Sequence, residues 1–427
     1  MMRLTPEGAE FAIVSFEGPD EYARAGGLAV RVRDLSETLA KLGYVTHLYF
    51  IGDPNLPGVE QRGNLVLHRW CQWISAHHPA GVYDGEWGKM QDLAGSVPYA
   101  LAEQVRDAAS RGKATIFMTE DWQTAPVAIN ASRVLNAQGL LRHVVPVWTA
   151  NNLYGLDGID FGPLSDAAQV LTISRYMKHA MRRFGVNPLV AQNGIAPSAV
   201  TTVPSATVRS LRDSFGDGIA LFKIGRFSPD KGWIQAIEAA AHIKHSGARV
   251  RMLIRGDKLP YGGDVLTQAY IHGLTVEDLT ERYTTPDALG TAIAAHPDAN
   301  VLVLRAFLPD ELLAPIYASV DGVLANSVFE PFGLVGLEVM GAGGCVFVGS
   351  TGEEYAEPGV NAVVLDTDDP REIVFNLRRL AGSPEALTAL KQRARETAKA
   401  YVWPVIVSEL FNKLDYVALA RNVEVQG

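Results

Sequence analysis

The chain has 427 residues, 48% apolar and 20% charged, a content that excludes disorder along its whole length. At a soft scale of about 150 residues per domain it predicts two or three domains. Its 38 basic and 47 acidic residues leave a formal charge of −9 with no long basic run; this excludes general nucleic-acid or anionic-membrane binding, although a few cations and backbone N–H groups suffice to hold one phosphate.

The segment 11–16, FAIVSF, predicts a buried strand. A helix is expected over 28–43, with Leu28, Val32, Leu35, Leu39 and Leu42 on one face. Further strands are predicted over 45–51, 114–118, 143–148 and 169–173, each followed by a turn signal or a helical stretch. Residues 195–218 are rich in Pro, Ser, Thr and Gly and mark a change of domain, predicting domains over 1–200 and 201–402. The alternation restarts with strands over 219–225, 250–256, 300–307, 321–326 and 345–349, and a helix opening near Lys231. Residues 261–297 read as a polar helical insertion between two strands. After a break at Pro404, residues 403–427 predict an amphipathic helix that packs back on the N-terminal domain. Strand–helix alternation implies parallel sheets with helices on both faces. The predicted fold is therefore α/β: two doubly wound Rossmann-like domains facing a central cleft, with ligands at the carboxyl ends of the strands.

Cys71 and Cys345 cannot make a disulfide framework, and no C-x-x-C or H-E-x-x-H spacing suggests a metal. Glu7 and Glu10 interrupt the N-terminal apolar run, so a signal peptide is not expected. No stretch approaches the roughly 18 apolar residues of a membrane span. A soluble cytoplasmic protein is the expectation.

Three loops could carry chemistry. Arg24-Ala25-Gly26-Gly27-Leu28 lies between the first strand and helix, where glycines admit close backbone approach and a helix N-terminus offers N–H donors to an anion. The turn Gly225-Arg226-Phe227-Ser228-Pro229-Asp230-Lys231-Gly232 sets two cations at the mouth of a strand, a pairing suited to a diphosphate whose charge grows as it leaves. The stretch Glu330-Pro331-Phe332-Gly333-Leu334-Val335-Gly336-Leu337-Glu338 follows a strand. There Glu330 and the backbone N–H groups of Phe332, Gly333 and Leu334 can meet sugar hydroxyls, while Glu338 can take the vicinal hydroxyls of a ribose.

Together these motifs resemble retaining glycosyltransferases of the two-Rossmann-domain GT-B type, family 4. The first half is also similar to bacterial glycogen and starch synthases. Glu120-Asp121-Trp122-Gln123-Thr124-Ala125 resembles their His-Asp-Trp-Gln-Thr-Ala. Thr149-Ala150-Asn151-Asn152-Leu153-Tyr154 resembles Thr-x-His-Asn-Leu-x-Tyr with the tyrosine one place early, and Ser174-Arg175-Tyr176-Met177 and Asn193-Gly194-Ile195 also fit. The resemblance runs from about residue 10 to about residue 400, outside 261–297.

The resemblance implies a nucleoside-diphosphate sugar donor carrying UDP, ADP or GDP, with no other cofactor and no metal. Arg226 and Lys231 would hold the diphosphate, Glu338 the ribose, and Glu330 with the Phe332–Leu334 backbone the transferred sugar. Gly27 would bring an N–H to the phosphate from the first half, and Asn151 would stand beside the sugar. Asp121 is expected at the acceptor end, with Trp122 packed beneath. The partner would be a carbohydrate or small-molecule acceptor, and a hexose, glucose foremost, would move with retention by front-face displacement. Two departures stand out: Asn151 replaces the synthases' His, and Glu120 replaces the His before Asp. Cys345 is expected to be an inert core residue, His77 and His78 to lie at the surface, and Thr351-Gly352-Glu353-Glu354-Tyr355 to turn near the donor. Two other readings use the same residues: a sugar-nucleotide-binding protein with little transferase activity, and a GT-B sugar-nucleotide epimerase.

Overall fold

The computed structural model describes residues 4–257, 260–306, 308–352 and 354–424. Phe307, at the end of one predicted strand, and Glu353, in the turn expected near the donor, lie outside the described residues. The chain divides into two compact units: residues up to Gly194 together with those from Trp403 onward, and Ile195–Val402. The division falls after Gly194 rather than at 200/201. Ile195 N–H donates to Tyr401 O at 2.8 Å and Ile195 bridges Val402, so the segment from 195 belongs with the second unit.

The first unit carries β1 (Ala9–Ser15), β2 (Thr46–Ile51), β3 (Val59–Arg62), β4 (Leu65–Trp70), β5 (Ala114–Glu120), β6 (Val144–Ala150), β7 (Gln169–Thr172) and β8 (Leu189–Val190). They form one sheet in the order β3-β4-β2-β1-β5-β6-β7-β8, parallel except for β3. Every residue of β1, β5 and β6 is buried, as expected of central parallel strands covered on both faces. The helix Gly27–Lys41 buries Ala29, Val32, Leu35 and Leu39. Leu42, expected on the same face, is 45% exposed because the last helical turn ends before it. The helix Trp403–Ala420 closes this unit. It buries Ile406, Val407, Leu410 and Leu414, and Phe411 stacks on Tyr44 with ring centroids 5.0 Å apart.

The second unit carries β9 (Ile219–Ile224), β10 (Val250–Arg255), β11 (Val276–Leu279), β12 (Val301–Leu304), β13 (Gly322–Ala325), β14 (Val346–Val348) and β15 (Val363–Val364). Their order is β11-β12-β10-β9-β13-β14-β15, all parallel. The segment 261–297 is not an insertion. It is the regular helix Tyr261–Ile271, edge strand β11 and helix Pro286–Ala294. Sequence periodicity misses β11 because it pairs on one side only, so Glu277 and Asp278 can stay exposed, and Asp278 takes Arg305 at 2.8 Å. Among the described residues no helix is long and apolar enough to cross a membrane.

One buried ion pair ties the loop after β1 to the sheet. Arg69 on β4 reaches Asp20 at 2.7 Å, the side chains being 1% and 5% exposed. Removing one member of such a pair strands the other charge without water, which costs about 3–5 kcal/mol. Arg69→Met is therefore expected to lower the stability of the first unit by that order, read as an earlier urea unfolding midpoint. Asp20→Asn combined with Arg69→Met should recover part of the loss.

Candidate active site

In the second sheet β9 and β13 lie side by side, but the chain leaves them in opposite directions, β9 toward β10 and β13 toward β14. Such a reversal opens a crevice at the carboxyl ends of the two strands. The loops leaving it are Gly225–Gly232 and Asn326–Gly333, and they are locked together. Val328 N–H donates to Asp230 O at 2.8 Å. Asn326, 1% exposed, donates from Nδ2 to Gly232 O at 3.0 Å and to Gln235 Oε1 at 2.6 Å. Gly232 has φ +62°, and a Cβ there would stand 2.2 Å from Asn326 O, so no other residue fits.

This lock brings the predicted donor residues together. Lys231 Nζ lies 3.3 Å from Glu330 Oε1 and 3.5 Å from Asp230 Oδ2. Ser327 Oγ donates to Glu330 Oε2 at 3.2 Å, so both oxygens of that carboxylate are oriented. Arg226 is exposed on the same loop, which is held from below where its carbonyl accepts Trp233 Nε1–H at 2.7 Å. The helix Leu334–Gly341 begins at Leu334 behind Gly333, whose φ is +81° and whose carbonyl accepts the buried Tyr355 hydroxyl. Phe332 is 3% exposed and packs edge-on against Tyr355, leaving its backbone N–H as the group available to a ligand. Glu338 is half-buried one turn into the helix, where Oε2 accepts the Tyr317 hydroxyl at 3.2 Å.

Sequence reasoning missed Lys223, a cation in the middle of β9. It is 2% exposed, donates to Leu324 O at 3.0 Å and Asn326 Oδ1 at 2.5 Å, and lies over the Trp233 ring at 5.1 Å. Burial pulls its ammonium down to about 7, with Lys231 adding to the shift and Glu330 opposing it. The signal was available in ALFKIG, where one lysine interrupts an apolar strand.

The first sheet repeats the topology at β1 and β5, which pair along Ala9–Ser15 and leave toward β2 and β6. Here the expected anion-binding helix terminus already holds an anion. Glu17 Oε2 accepts N–H groups of Ala25, Gly26 and Ala29 at 3.3, 2.9 and 3.1 Å, and Oε1 accepts the Tyr83 hydroxyl at 2.5 Å. The free donors expected in this loop are therefore fewer: Glu17 takes the N–H groups of Ala25, Gly26 and Ala29, and that of Gly27 is not among them.

Asp121 follows β5 with φ +69° and ψ 173°, a strained conformation for a residue with a Cβ. It is 3% exposed, with Oδ1 accepting Trp122 N–H at 3.0 Å and Oδ2 accepting Asn152 Nδ2 at 2.5 Å. Burial pushes its carboxyl up to about 7, and Glu120 and Glu17 push the same way. Trp122 is half-buried against the core and meets Tyr154 edge-on at 5.8 Å. Asn151 donates to Glu120 Oε2 at 2.8 Å, and Glu120 pairs with the buried Arg31 at 2.9 Å. The loop near residue 80 has a reason as well. Lys89, fully buried, donates to Tyr22 Oη at 2.7 Å and to the carbonyls of Gly81, Val82 and Asp84, pinning the segment that carries Tyr83.

Two parallel Rossmann-like sheets of this order are the GT-B fold of glycosyltransferases. Residues 211–397, most of the second unit, match the family described as glycosyl transferases group 1. Across 421 residues, 94% of this chain and 97% of the relative, the sequence is 24% identical to an uncharacterized glycosyltransferase of Methanocaldococcus jannaschii. A D-inositol 3-phosphate glycosyltransferase of Thermobispora bispora is 28% identical over 229 residues, 53% of this chain and 48% of that protein, so the match spans about half the relative. The fold is similar to the catalytic domain of starch synthase IV from Arabidopsis thaliana bound to ADP and acarbose, at TM-score 0.67 and 15% identity, covering 97% and 99% of the two chains. The match over residues 211–397 and the relatives named as glycosyltransferases support a transferase enzyme.

The Lys223 shift has a measurable sign. Its folded-state value, about 7, lies below the ordinary 10.5, so between those values the unfolded chain binds a proton that the folded chain does not. The penalty is fully present below about 7 and is relieved as pH rises. Relative to Lys223→Met, the wild type is expected to gain stability from pH 7 to pH 10, measured by chemical denaturation of both proteins at each pH.

Proposed function

We propose that the chain is a retaining hexosyltransferase that moves a hexose, glucose foremost, from a UDP-, ADP- or GDP-sugar to a soluble carbohydrate or small-molecule acceptor in the cytoplasm. One observation carries this reading: Lys231 and Glu330, from loops leaving different strands, meet at 3.3 Å where the second sheet reverses direction. An ammonium and a carboxylate side by side there suit a ligand that is anionic at one end and a polyol at the other. In this reading Arg226 and Lys231 hold the diphosphate and stabilise its growing charge as the glycosidic bond breaks. Glu338 takes the ribose hydroxyls. Glu330, with the N–H groups of Phe332, Gly333 and Leu334, reads the hydroxyls of the transferred sugar.

Front-face displacement then proceeds as follows. The bond from the anomeric carbon to the phosphate oxygen breaks, leaving an oxocarbenium-like sugar and a nucleoside diphosphate. The acceptor hydroxyl forms its new bond from the same face and passes its proton to the departing phosphate oxygen. Configuration is retained because attack and departure share a face. The Arg226 and Lys231 cations and the backbone N–H dipoles supply the stabilisation, so the reading requires no metal and no cofactor beyond the donor. Asp121, at the edge of the first sheet, serves the acceptor end.

Lys231→Ala and Glu330→Ala are each expected to lower transfer by about two to three orders of magnitude, the scale for removing one preorganised charge stabiliser. Nucleoside-diphosphate release and mass spectrometry of products, with UDP-, ADP- and GDP-glucose and GDP-mannose, provide the measurement. Circular dichroism checks that the fold persists. Wild-type rates in either variant would remove the reading.

A further inference from the structure

The central strand β9 buries a cation for which the mechanism above has no use. Lys223 is 2% exposed, with Ile254 of β10 beside it in register and the Trp233 ring 5.1 Å from its ammonium. Both of its bonded partners are neutral oxygens, Leu324 O at 3.0 Å and Asn326 Oδ1 at 2.5 Å. Among the described residues the ion pairs of this crevice are those of Lys231 with Asp230 and Glu330, and Lys223 has none. A buried charge is ordinarily paired, so a buried ammonium with no carboxylate is short of a counter-ion.

Its place gives that shortage a meaning. The Asn326 amide that accepts from Lys223 donates in turn to Gly232 O at 3.0 Å, so the ammonium lies one side chain beneath the turn that carries Arg226 and Lys231. The charged groups acting on it are Lys231 and Glu330, in opposite senses, and these two already meet each other at 3.3 Å. Asp230 and Arg226 complete the charges of the turn above, while α-helical Trp233 and Gln235, Ile254 of β10 and Leu324 of β13 bring none. A neutral amine keeps two N–H groups, one for each oxygen that Lys223 meets, so loss of its proton changes the charge and leaves the Asn326 lock closed. Burial sets that loss at about 7, where the crevice is without ligand.

We propose that Lys223 is a third cation of the diphosphate site, acting through the low-dielectric strand beneath the turn without touching the ligand, and that a nucleoside diphosphate is the counter-ion it lacks. The inference rests on the glycosyl-transfer reading, in which Arg226 and Lys231 hold the diphosphate. An anion arriving above a buried amine favours the charged form, so the diphosphate draws a proton onto Lys223 as it binds. The coupling is reciprocal: a site that gains a proton with its ligand binds that ligand less tightly once the proton is scarce. Free protein loses the proton at about 7 and bound protein holds it to a higher pH, so affinity for the diphosphate falls as pH rises above 7. Arg226 stays charged throughout. Lys223 thereby makes the grip on the donor, and on the departing diphosphate, depend on pH.

The test is calorimetric titration of UDP, ADP and GDP into the full chain at pH 7, 8 and 9, in two buffers of different ionisation enthalpy. It reads affinity and protons exchanged, and needs no turnover. For the diphosphate that binds best, the wild type is expected to take up about half a proton or more per site at pH 8, and to lose about tenfold in affinity from pH 7 to pH 9. Lys223→Met keeps every other titrating group, the nucleotide's included, and should show neither the uptake nor the loss. Lys223→Arg, whose charge is permanent, should bind equally well at both ends of the range. A lysine with only a structural role would instead weaken binding in Lys223→Met by the same factor at every pH. That result, or wild-type binding with no proton uptake at pH 8, overturns the inference and leaves the transferase reading intact. Should circular dichroism show that a variant does not fold, the wild-type uptake decides. Failure of all three diphosphates to bind the wild type at any pH removes the transferase reading and this inference with it.

Discussion

The crevice of the second sheet depends on one close approach: the backbone of Gly232 against the carbonyl of Asn326, with room for no Cβ between them. That contact, with the Val328 N–H bond to Asp230 O, brings Lys231 to Glu330. Asn326 accepts from Lys223 and donates to Gly232 and Gln235, so one buried amide serves the strand, the turn and the following helix. A buried polar group with every bond made is rigid, and with one missing it is costly. The exposed residues gain precision from this arrangement. Lys231 and Glu330 are both partly solvated, yet each stands on a loop whose backbone cannot slide without breaking the Asn326 network.

A second principle, used in the first unit, is that of an internal anion. The helix Gly27–Lys41 begins with a glycine pair and no side-chain cap of its own, so its N-terminal N–H groups require a partner. Glu17 supplies it from the end of β1. The same carboxylate takes the Tyr83 hydroxyl and so fixes a loop that is distant in sequence. Helix start, strand end and aromatic loop are thereby joined by two oxygens. The cost is a carboxylate at the edge where Glu86 and Asp121 also lie; burial raises the Asp121 carboxyl to about 7, and Glu120 and Glu17 add to that shift.

Much of this was legible in the chain, for reasons visible in particular residues. The strands β1, β5, β9 and β10 are central and covered on both faces, so their sequences are predominantly apolar. Gly232 and Gly333 stood where the backbone needs positive φ, and the charged residues beside them were the ones brought together at the sheet reversal. What escaped was everything whose meaning is set by a partner far away in sequence. β3 and β11 are edge strands with polar faces, and no period marks them. Glu17 and Lys89 read as ordinary charges until their backbone partners are known. Lys223 was the exception that could have been found, since a cation inside an apolar strand must be paired or neutral.

The two departures from the synthase pattern, Glu120 and Asn151, illustrate the same lesson at the scale of one hydrogen bond. Taken singly, each replaces an imidazole with a group of different charge or reach. In the fold they touch: the Asn151 amide donates to the Glu120 carboxylate, which is neutralised in turn by Arg31. The pair is therefore a single device. It exchanges two imidazole rings for an amide held by an ion pair. Beside this pair stands Asp121, whose carboxyl burial raises to about 7, so that it changes charge near neutral pH.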